Sequence, residues 1–340
     1  MANVTILGGG SWGLAMALLL RQKKHSVRVW EYNPQNVLKL QKERKNEDFL
    51  KGVQFPEDIF FTNNISEAFS CETEILVLAV PSTFLRKTIK MISFPINPSF
   101  VNVKAIVSLV KGLEENSLKR MSVVISEEMP LYCKNMIVAL SGPSHAEEVS
   151  NGIPTLVVVA GENNNVLEYV QNEFSNSFFR VYTTSDIIGV EIGAAVKNII
   201  SIAAGVVSGL GFGDNTMGAL LTRGLAEIKR LGCALNAEPE TFSGLSGIGD
   251  LITTAISTHS RNRYVGYQLG KGKKLNEILQ EMVMIAEGVV TTKNIRELKE
   301  KLNISMPITE EMYQLLFNDK EPSKALFDLM NRELKNEIEI

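Results

Sequence analysis

Cysteine is scarce in this chain, with only Cys71, Cys133 and Cys233 among 340 residues. They are widely spaced, odd in number and form no C-x-x-C pair, which excludes a disulfide framework and a structural zinc site. They read as reduced thiols of a cytoplasmic protein. Histidine is equally sparse: His25 reads as a surface residue ahead of a strand, and His145 and His259 lie too far apart to suggest a metal site or a nucleophile triad. No metal is expected. Positive charge is not in excess either, since a formal charge of -3 and a pI near 5.8 give no broad field for a phosphate backbone. Nucleic acid is therefore not an expected partner. The amino terminus has no basic region followed by an apolar stretch, because Val4 to Leu7 runs straight into a glycine turn. The most apolar long stretch, Ile187 to Leu210, is interrupted by Glu191 and Lys197. It reads as a buried helix and not a membrane span.

What is present is a length of 340 residues, above the roughly 250–300 at which single cores stop growing. Two domains follow as the expectation. From Val4 to about Tyr182, the runs VTIL, VRVW, ILVLAV, AIVSLV, MIVAL, TLVVVA and FFRVY alternate with amphipathic segments. That alternation predicts a mostly parallel, doubly wound α/β sheet of Rossmann type, and the near-continuous apolar runs fit strands covered on both faces. After Thr183, helical signals take over at Asp186–Leu210, Gly218–Leu231, Phe242–Ser257, Leu275–Met284, Val289–Leu302 and Ile308–Phe317. A dinucleotide-binding domain over 1–184 and an all-α domain over 185–340 are expected, joined by a short connection. No internal repeat or long low-complexity linker interrupts them.

Gly8, Gly10 and Gly13 form G-x-G-x-x-G between the strand Val4–Leu7 and the helix-like SWGLAMALLLRQ. VRVW then supplies a second strand ending at the acidic Glu31. The pattern alone is common, but in this order it matches a dinucleotide fold: tight turn, close backbone approach to pyrophosphate, helix–strand contact, and a helix N-terminus facing the phosphates.

Three further loops at the carboxyl ends of strands face the crevice where such folds bind ligands: Pro81-Ser82, Lys111-Gly112 and Ser141-Gly142-Pro143-Ser144. Lys111 would set a point charge above the sheet, as a phosphate ligand or simply as a solvated lysine. Ser144 with Glu147 reads as a capping box, with Gly142 and Ser144 as candidate ligand contacts. In the helical half, Lys197 stands among Ile, Val, Ala and Gly, where a buried charge needs a partner or a use. Its same-face neighbours Gly193, Ala194, Ile200 and Ser201 are mostly small, and Asn198 adds a polar group. Such a lysine can exchange a proton with a carbonyl oxygen, or else snorkel or pair structurally. Asp250 stands at a helix start, where an aspartate is ordinarily a cap, with Thr254 one turn on. The segment Ser260-Arg261-Asn262-Arg263 offers a guanidinium fork for phosphate, or an exposed basic loop.

Together GGGSWG, LVKGLE, LSGPSHAEEV, GAAVKN, GLSGIGDLITT, HSRNR and AEGVVTTK closely resemble the NAD(P)-dependent glycerol-3-phosphate dehydrogenases of bacteria. The matches run in order from residue 4 to about residue 310. The resemblance implies reversible hydride transfer between a nicotinamide and the carbonyl carbon of dihydroxyacetone phosphate, giving sn-glycerol 3-phosphate for glycerophospholipid synthesis. It implies Lys197 as acid/base, with Asp250, Asn198 and Thr254 beside it. It also implies a substrate set of Lys111, Gly142, Ser144, Ser260, Arg261 and Asn262 together with Lys197 and Asp250. The implied cofactor contacts are Gly8, Gly10, Ser11, Trp12, Gly13, Glu31, Tyr32, Lys111, Ala146, Arg261, Ile285 and Glu287. Glu31-Tyr32 stands where many members carry histidine or arginine; an acid there accepts from ribose hydroxyls and repels a 2′-phosphate, so NADH is favoured over NADPH. A β-hydroxyacid dehydrogenase, with a carboxylate handle on its substrate, and a non-catalytic NAD(H)-sensing module remain as alternatives. A homodimer is expected only from the frequency of two-fold oligomers.

Overall fold

The computed structural model describes residues 1–69, 72–92, 102–282, 286–334 and 336–337. Eight strands, β1 (Asn3–Leu7), β2 (Ser26–Trp30), β3 (Phe60–Thr62), β4 (Ile75–Leu78), β5 (Ala105–Ser108), β6 (Ile137–Ser141), β7 (Thr155–Ala160) and β8 (Phe179–Thr184), form one sheet. Their order is β3-β2-β1-β4-β5-β6-β7-β8, and every neighbouring pair is parallel except β6 with β7. β4 and β5 are buried at every position, as expected where helices cover both faces. Those helices are α1 (Ser11–Gln22), α2 (Pro34–Lys42), α3 (Ile65–Ala68), α4 (Leu85–Lys90), α5 (Met121–Glu128), α6 (Ala146–Ser150) and α7 (Asn164–Phe174). Because β2 lies on one side of β1 and β4 on the other, the order reverses at β1 and opens a crevice at its carboxyl end.

The remainder is helical: α8 (Ile187–Gly209), α9 (Asp214–Ala234), α10 (Asp250–Ile256), α11 (Arg261–Gly270), α12 (Leu275–Glu281), α13 (Glu287–Lys301), α14 (Pro307–Phe317) and α15 (Pro322–Met330). α8 is the axis of this part. It starts where the Asp186 carboxylate accepts the Gly189 N–H at 2.8 Å, and nearly all of it is buried, although it is long and apolar enough to cross a membrane. It meets α11 backbone to backbone: a Cβ on Gly266 would lie 1.8 Å from the Ile202 carbonyl oxygen, so only glycine fits there.

Several expectations need correction. The three-residue β3, and the helices α11 and α15, were not anticipated; β3 is too short for a periodic signal, and α11 begins inside the segment read as a basic loop. Phe242–Ser257 is not one helix but a tight turn at Pro239–Ser243, a wide turn at Leu245–Gly249 and then α10, because three glycines in this run weaken regular helix. His25 is not a surface residue: it is buried, and its Nδ1 accepts the Ala2 N–H at 3.0 Å. Cys71, Met284 and Ile285 lie outside the described residues.

Candidate active site

The glycine turn follows β1 directly and is built from backbone. Gly8 has φ +119°, and a Cβ on Gly13 would lie 1.9 Å from the Gly8 carbonyl oxygen, so the helix start is pressed against the strand end. A Cβ on Gly10 would instead meet nothing within 4 Å among the described residues. No side chain caps α1 and no acid sits in its first turn, so its N–H groups and positive dipole end face that open space. Trp12 Nε1, in the first turn of α1, is buried without a hydrogen-bond partner among the described residues. A space next to an uncapped helix start suits a pyrophosphate, and the residues present therefore fit a dinucleotide. At the end of β2, Glu31 is buried and not solvated: its carboxylate accepts the Gly9 N–H and the Asn33 N–H, both at 3.0 Å. Tyr32 beside it is exposed, Ser11 donates to the Phe49 carbonyl at 2.8 Å, and Ala146 opens α6, which packs on α1.

Across the crevice the site is made of side chains. The Lys197 ammonium, buried in the middle of α8, forms a short ion pair with Asp250 and donates to Thr254 Oγ1 at 2.9 Å. Lys111, from the loop after β5, reaches the second Asp250 oxygen at 3.2 Å, and Ser141 Oγ at the end of β6 donates to that oxygen at 3.3 Å. Asp250 is thus the first residue of α10 without capping it; its carboxylate serves two lysines. Burial lowers the Lys197 pKa to about 7, with Asp250 opposing that shift and the Lys111 charge reinforcing it. Burial alone would raise the Asp250 pKa, but the two lysines outweigh it and hold the carboxyl below its ordinary value. The result is an ionised carboxylate and an ammonium that can release its proton near neutrality.

Ser260 caps α11, accepting the Arg263 N–H at 3.2 Å, and its hydroxyl lies 3.0 Å from that of Ser201 on α8. Arg261 opens the helix on its exposed side, while Asn262 is buried and accepts the Gly288 N–H at 2.9 Å. That bond brings Glu287 close. Burial raises the Glu287 pKa, opposed by the Arg261 charge and by the Ser82 N–H, so Arg261, Glu287 and the loop after β4 share one neighbourhood. Ser260-Arg261-Asn262-Arg263 is accordingly a helix start and not a loop.

Two expected features differ. Ser144 and Glu147 form no capping box: the Ser144 hydroxyl donates back to the Gly142 carbonyl at 3.0 Å, and α6 begins at Ala146 without a side-chain cap. The turn at Gly142, with φ +144°, holds Ser144 in that local bond. His145 and His259 are not isolated, since their ring centroids lie 5.9 Å apart, although no group of three metal-binding side chains occurs among the described residues. Asn198 is buried beside Lys197 but makes no hydrogen bond to the Lys197–Asp250 network. Ser141 was missed as a member of that network; a hydroxyl at the carboxyl end of a central strand was the available signal.

The family model for the N-terminus of NAD-dependent glycerol-3-phosphate dehydrogenase matches residues 3–167, and that for its C-terminus matches residues 186–327. A glycerol-3-phosphate dehydrogenase [NAD(P)+] of Chlorobium phaeobacteroides is 48% identical over 335 residues, 98% of this chain and 99% of its own length. That of Geobacillus thermodenitrificans is 46% identical over 339 residues, covering 99% of this chain and 97% of its own length. The crystal structure of glycerol-3-phosphate dehydrogenase from Coxiella burnetii superimposes with a TM-score of 0.90 at 33% identity, over 97% of this chain and 99% of that one. Two halves matched in order, and relatives alike along nearly their whole length, agree with a glycine turn at the end of β1 and a buried lysine–aspartate pair: the chain belongs to the NAD-dependent glycerol-3-phosphate dehydrogenase family.

Proposed function

We propose that this chain transfers hydride reversibly between NAD(H) or NADP(H) and the carbonyl carbon of dihydroxyacetone phosphate, forming sn-glycerol 3-phosphate. The observation that carries the reading is the buried Lys197, paired with Asp250 and Thr254 and joined through Asp250 to Lys111 and Ser141 at the carboxyl ends of β5 and β6. The bound nicotinamide supplies or accepts the hydride. Lys197 holds the proton that the carbonyl oxygen takes up on reduction, and its charge stabilises that oxygen as negative charge develops. Asp250 and Thr254 fix the position of the ammonium, and Lys111 adds a second cation beside them. Arg261, with Ser260 and Asn262, is assigned to the substrate phosphate, for which a planar guanidinium fork suits two oxygens at once. Lys111, Gly142 and Ser144 complete the substrate set, with Asn198 next to Lys197 in α8.

The cofactor is assigned to Gly8, Gly10, Ser11, Trp12 and Gly13 at its phosphates, Glu31 and Tyr32 at the adenosine ribose, and Lys111, Ala146, Arg261, Ile285 and Glu287 elsewhere. NADH is the favoured partner, because the Glu31 carboxylate is held beside the glycine turn where a 2′-phosphate would meet it. The reading divides the chain into a cofactor domain over 1–184 and a substrate domain over 185–340, in a cytoplasmic enzyme that feeds glycerophospholipid synthesis. Absorbance at the nicotinamide band, followed with dihydroxyacetone phosphate and each cofactor, tests it. Turnover is expected with dihydroxyacetone phosphate; a chain inert toward it with both cofactors overturns the reading. Arg261→Lys should raise KM for dihydroxyacetone phosphate far more than for dihydroxyacetone, and an equal loss on both removes Arg261 from the phosphate.

A further inference from the structure

A cavity of about 230 Å³ lies between α8, α9, α14 and α15. With about 3.6 residues per turn, its floor residues Ala203 and Val206 fall on the side of α8 away from Lys197, Val207 lies ten positions along the helix from it, and none of Lys197, Asp250, Thr254 and Lys111 lines the cavity. The cavity is therefore separate from the reacting site. Its wall is apolar, with Leu220 from α9, Met312 from α14 and Leu329 from α15. It exceeds the roughly 150 Å³ of an apolar cavity that takes up benzene, and it falls short of the ~300 Å³ at which drug-sized pockets begin. A narrow apolar body fits such a space.

The mouth is cationic. Arg223, Arg230 and Arg332 line it, and among the described residues neither Arg230 nor Arg332 has a carboxylate within ion-pair distance. Arg230 donates to the neutral Ser305 carbonyl, and Arg223 meets Glu337 only at 3.5 Å. The acid among the lining residues, Glu227, is committed to α14: it accepts the Ile308 N–H, and the Thr309 N–H and hydroxyl at 3.1 and 2.9 Å. Burial raises its pKa to about 7, against those hydrogen bonds and the Arg230 charge, so near neutrality it opposes an anion only in part. We propose that this cavity binds a small anionic amphiphile, an alkyl chain in the cavity with a carboxylate head on Arg230 and Arg332.

Calorimetric titration of the full chain with hexanoate, octanoate and decanoate tests the proposal, with 1-octanol as the uncharged control. Affinity should rise roughly fourfold per added methylene until the cavity is full, and octanoate should bind at least about tenfold tighter than octanol, because its head makes charge-assisted bonds. Arg230→Gln should weaken octanoate about tenfold and leave octanol unchanged. Leu220→Trp, which fills the cavity, should abolish both. Neither residue belongs to the reacting site, so retained dehydrogenase turnover shows that each variant is folded; if Leu220→Trp loses it, Arg230→Gln carries the test. Absence of octanoate binding overturns the proposal. So does equal binding of octanoate and octanol, an unchanged octanoate affinity in Arg230→Gln, or binding that survives in a folded Leu220→Trp.

Discussion

The two walls of the crevice are made of different material. The wall at the carboxyl end of β1 is backbone: positive-φ Gly8, a helix start pressed onto it at Gly13, and a space at Gly10 that no described side chain enters. The wall formed by α8 and α10 is side chain: Lys197, Asp250 and Thr254 inside a buried network that Lys111 and Ser141 complete from the sheet. A backbone wall is specified locally, within a few consecutive residues. A side-chain wall is specified by the fold, since Lys197 and Asp250 are 53 positions apart and Lys111 and Asp250 are 139 apart. The first should bind without reacting, and Lys197 in the second should react without being needed for cofactor binding.

The largest expected effect separates the two walls. Lys197→Ala should lower kcat at least ~10²-fold, the usual size of a general acid–base contribution, with cofactor affinity unchanged. Near-normal turnover, or a parallel loss of cofactor binding, breaks the division. Asp250→Asn should also cost about 3–5 kcal/mol of stability in denaturant titration, because it leaves two lysine charges without their shared buried carboxylate. A melting curve like that of the wild type would show that the network is not holding the fold together.

The complementary change fills the backbone wall. Gly10→Ala adds a methyl group to open space, so the folded chain should keep its melting temperature while cofactor affinity drops by about 1–3 kcal/mol, the usual cost of overpacking. That is roughly ten- to a hundredfold. Unchanged cofactor affinity would place the pyrophosphate elsewhere.

A comparable but more selective effect is expected at Glu31. Its carboxylate is oriented by the Gly9 and Asn33 N–H groups, yet a carboxylate has about four acceptor positions, which leaves capacity for ribose hydroxyls. NADH should be preferred by about 1–3 kcal/mol, and Glu31→Ser should reduce that preference in kcat/KM. A wild type that prefers NADPH, or a ratio that the substitution does not move, removes the role.

Legibility followed the same division. The glycine turn, the strand before it and the acid after β2 could be read because each signal lies within one βαβ unit. The long apolar helix around Lys197 was equally plain, since a charge in such a run needs a reason. What could not be read was set by contacts distant in sequence. Ser141 joins Asp250 across 109 positions, and the His145 and His259 rings meet although each looks solitary in the chain. Ser144 resembled a capping residue, but the turn at Gly142 uses its hydroxyl first. The start of α11 resembled a basic loop because two arginines stand among Ser260 and Asn262, while the buried bonds of Ser260 and Asn262 at this helix start point to α8 and α13.

The smallest expected effect tests how the side-chain wall tunes its lysine. Burial brings the Lys197 pKa down to about 7 from the ordinary 10.5, with Lys111 pushing the same way. Ketone reduction needs the protonated ammonium, so its kcat should fall as pH rises through about 7, whereas oxidation of glycerol 3-phosphate needs the neutral amine and should rise through the same range. Stability moves with the same group: between about pH 7 and 10.5 the folded state binds fewer protons at Lys197 than the unfolded chain, so this group's contribution to stability increases with pH across that window. Lys111→Met removes a like charge 3.2 Å from the shared carboxylate, which should raise the Lys197 pKa. Both kinetic limbs should then move to higher pH by about one unit, the ordinary size of an environmental shift. Limbs that stay in place would mean that Lys111 acts only on bound ligands, and limbs that move to lower pH would mean that its main effect on Lys197 runs through the ionisation of Asp250.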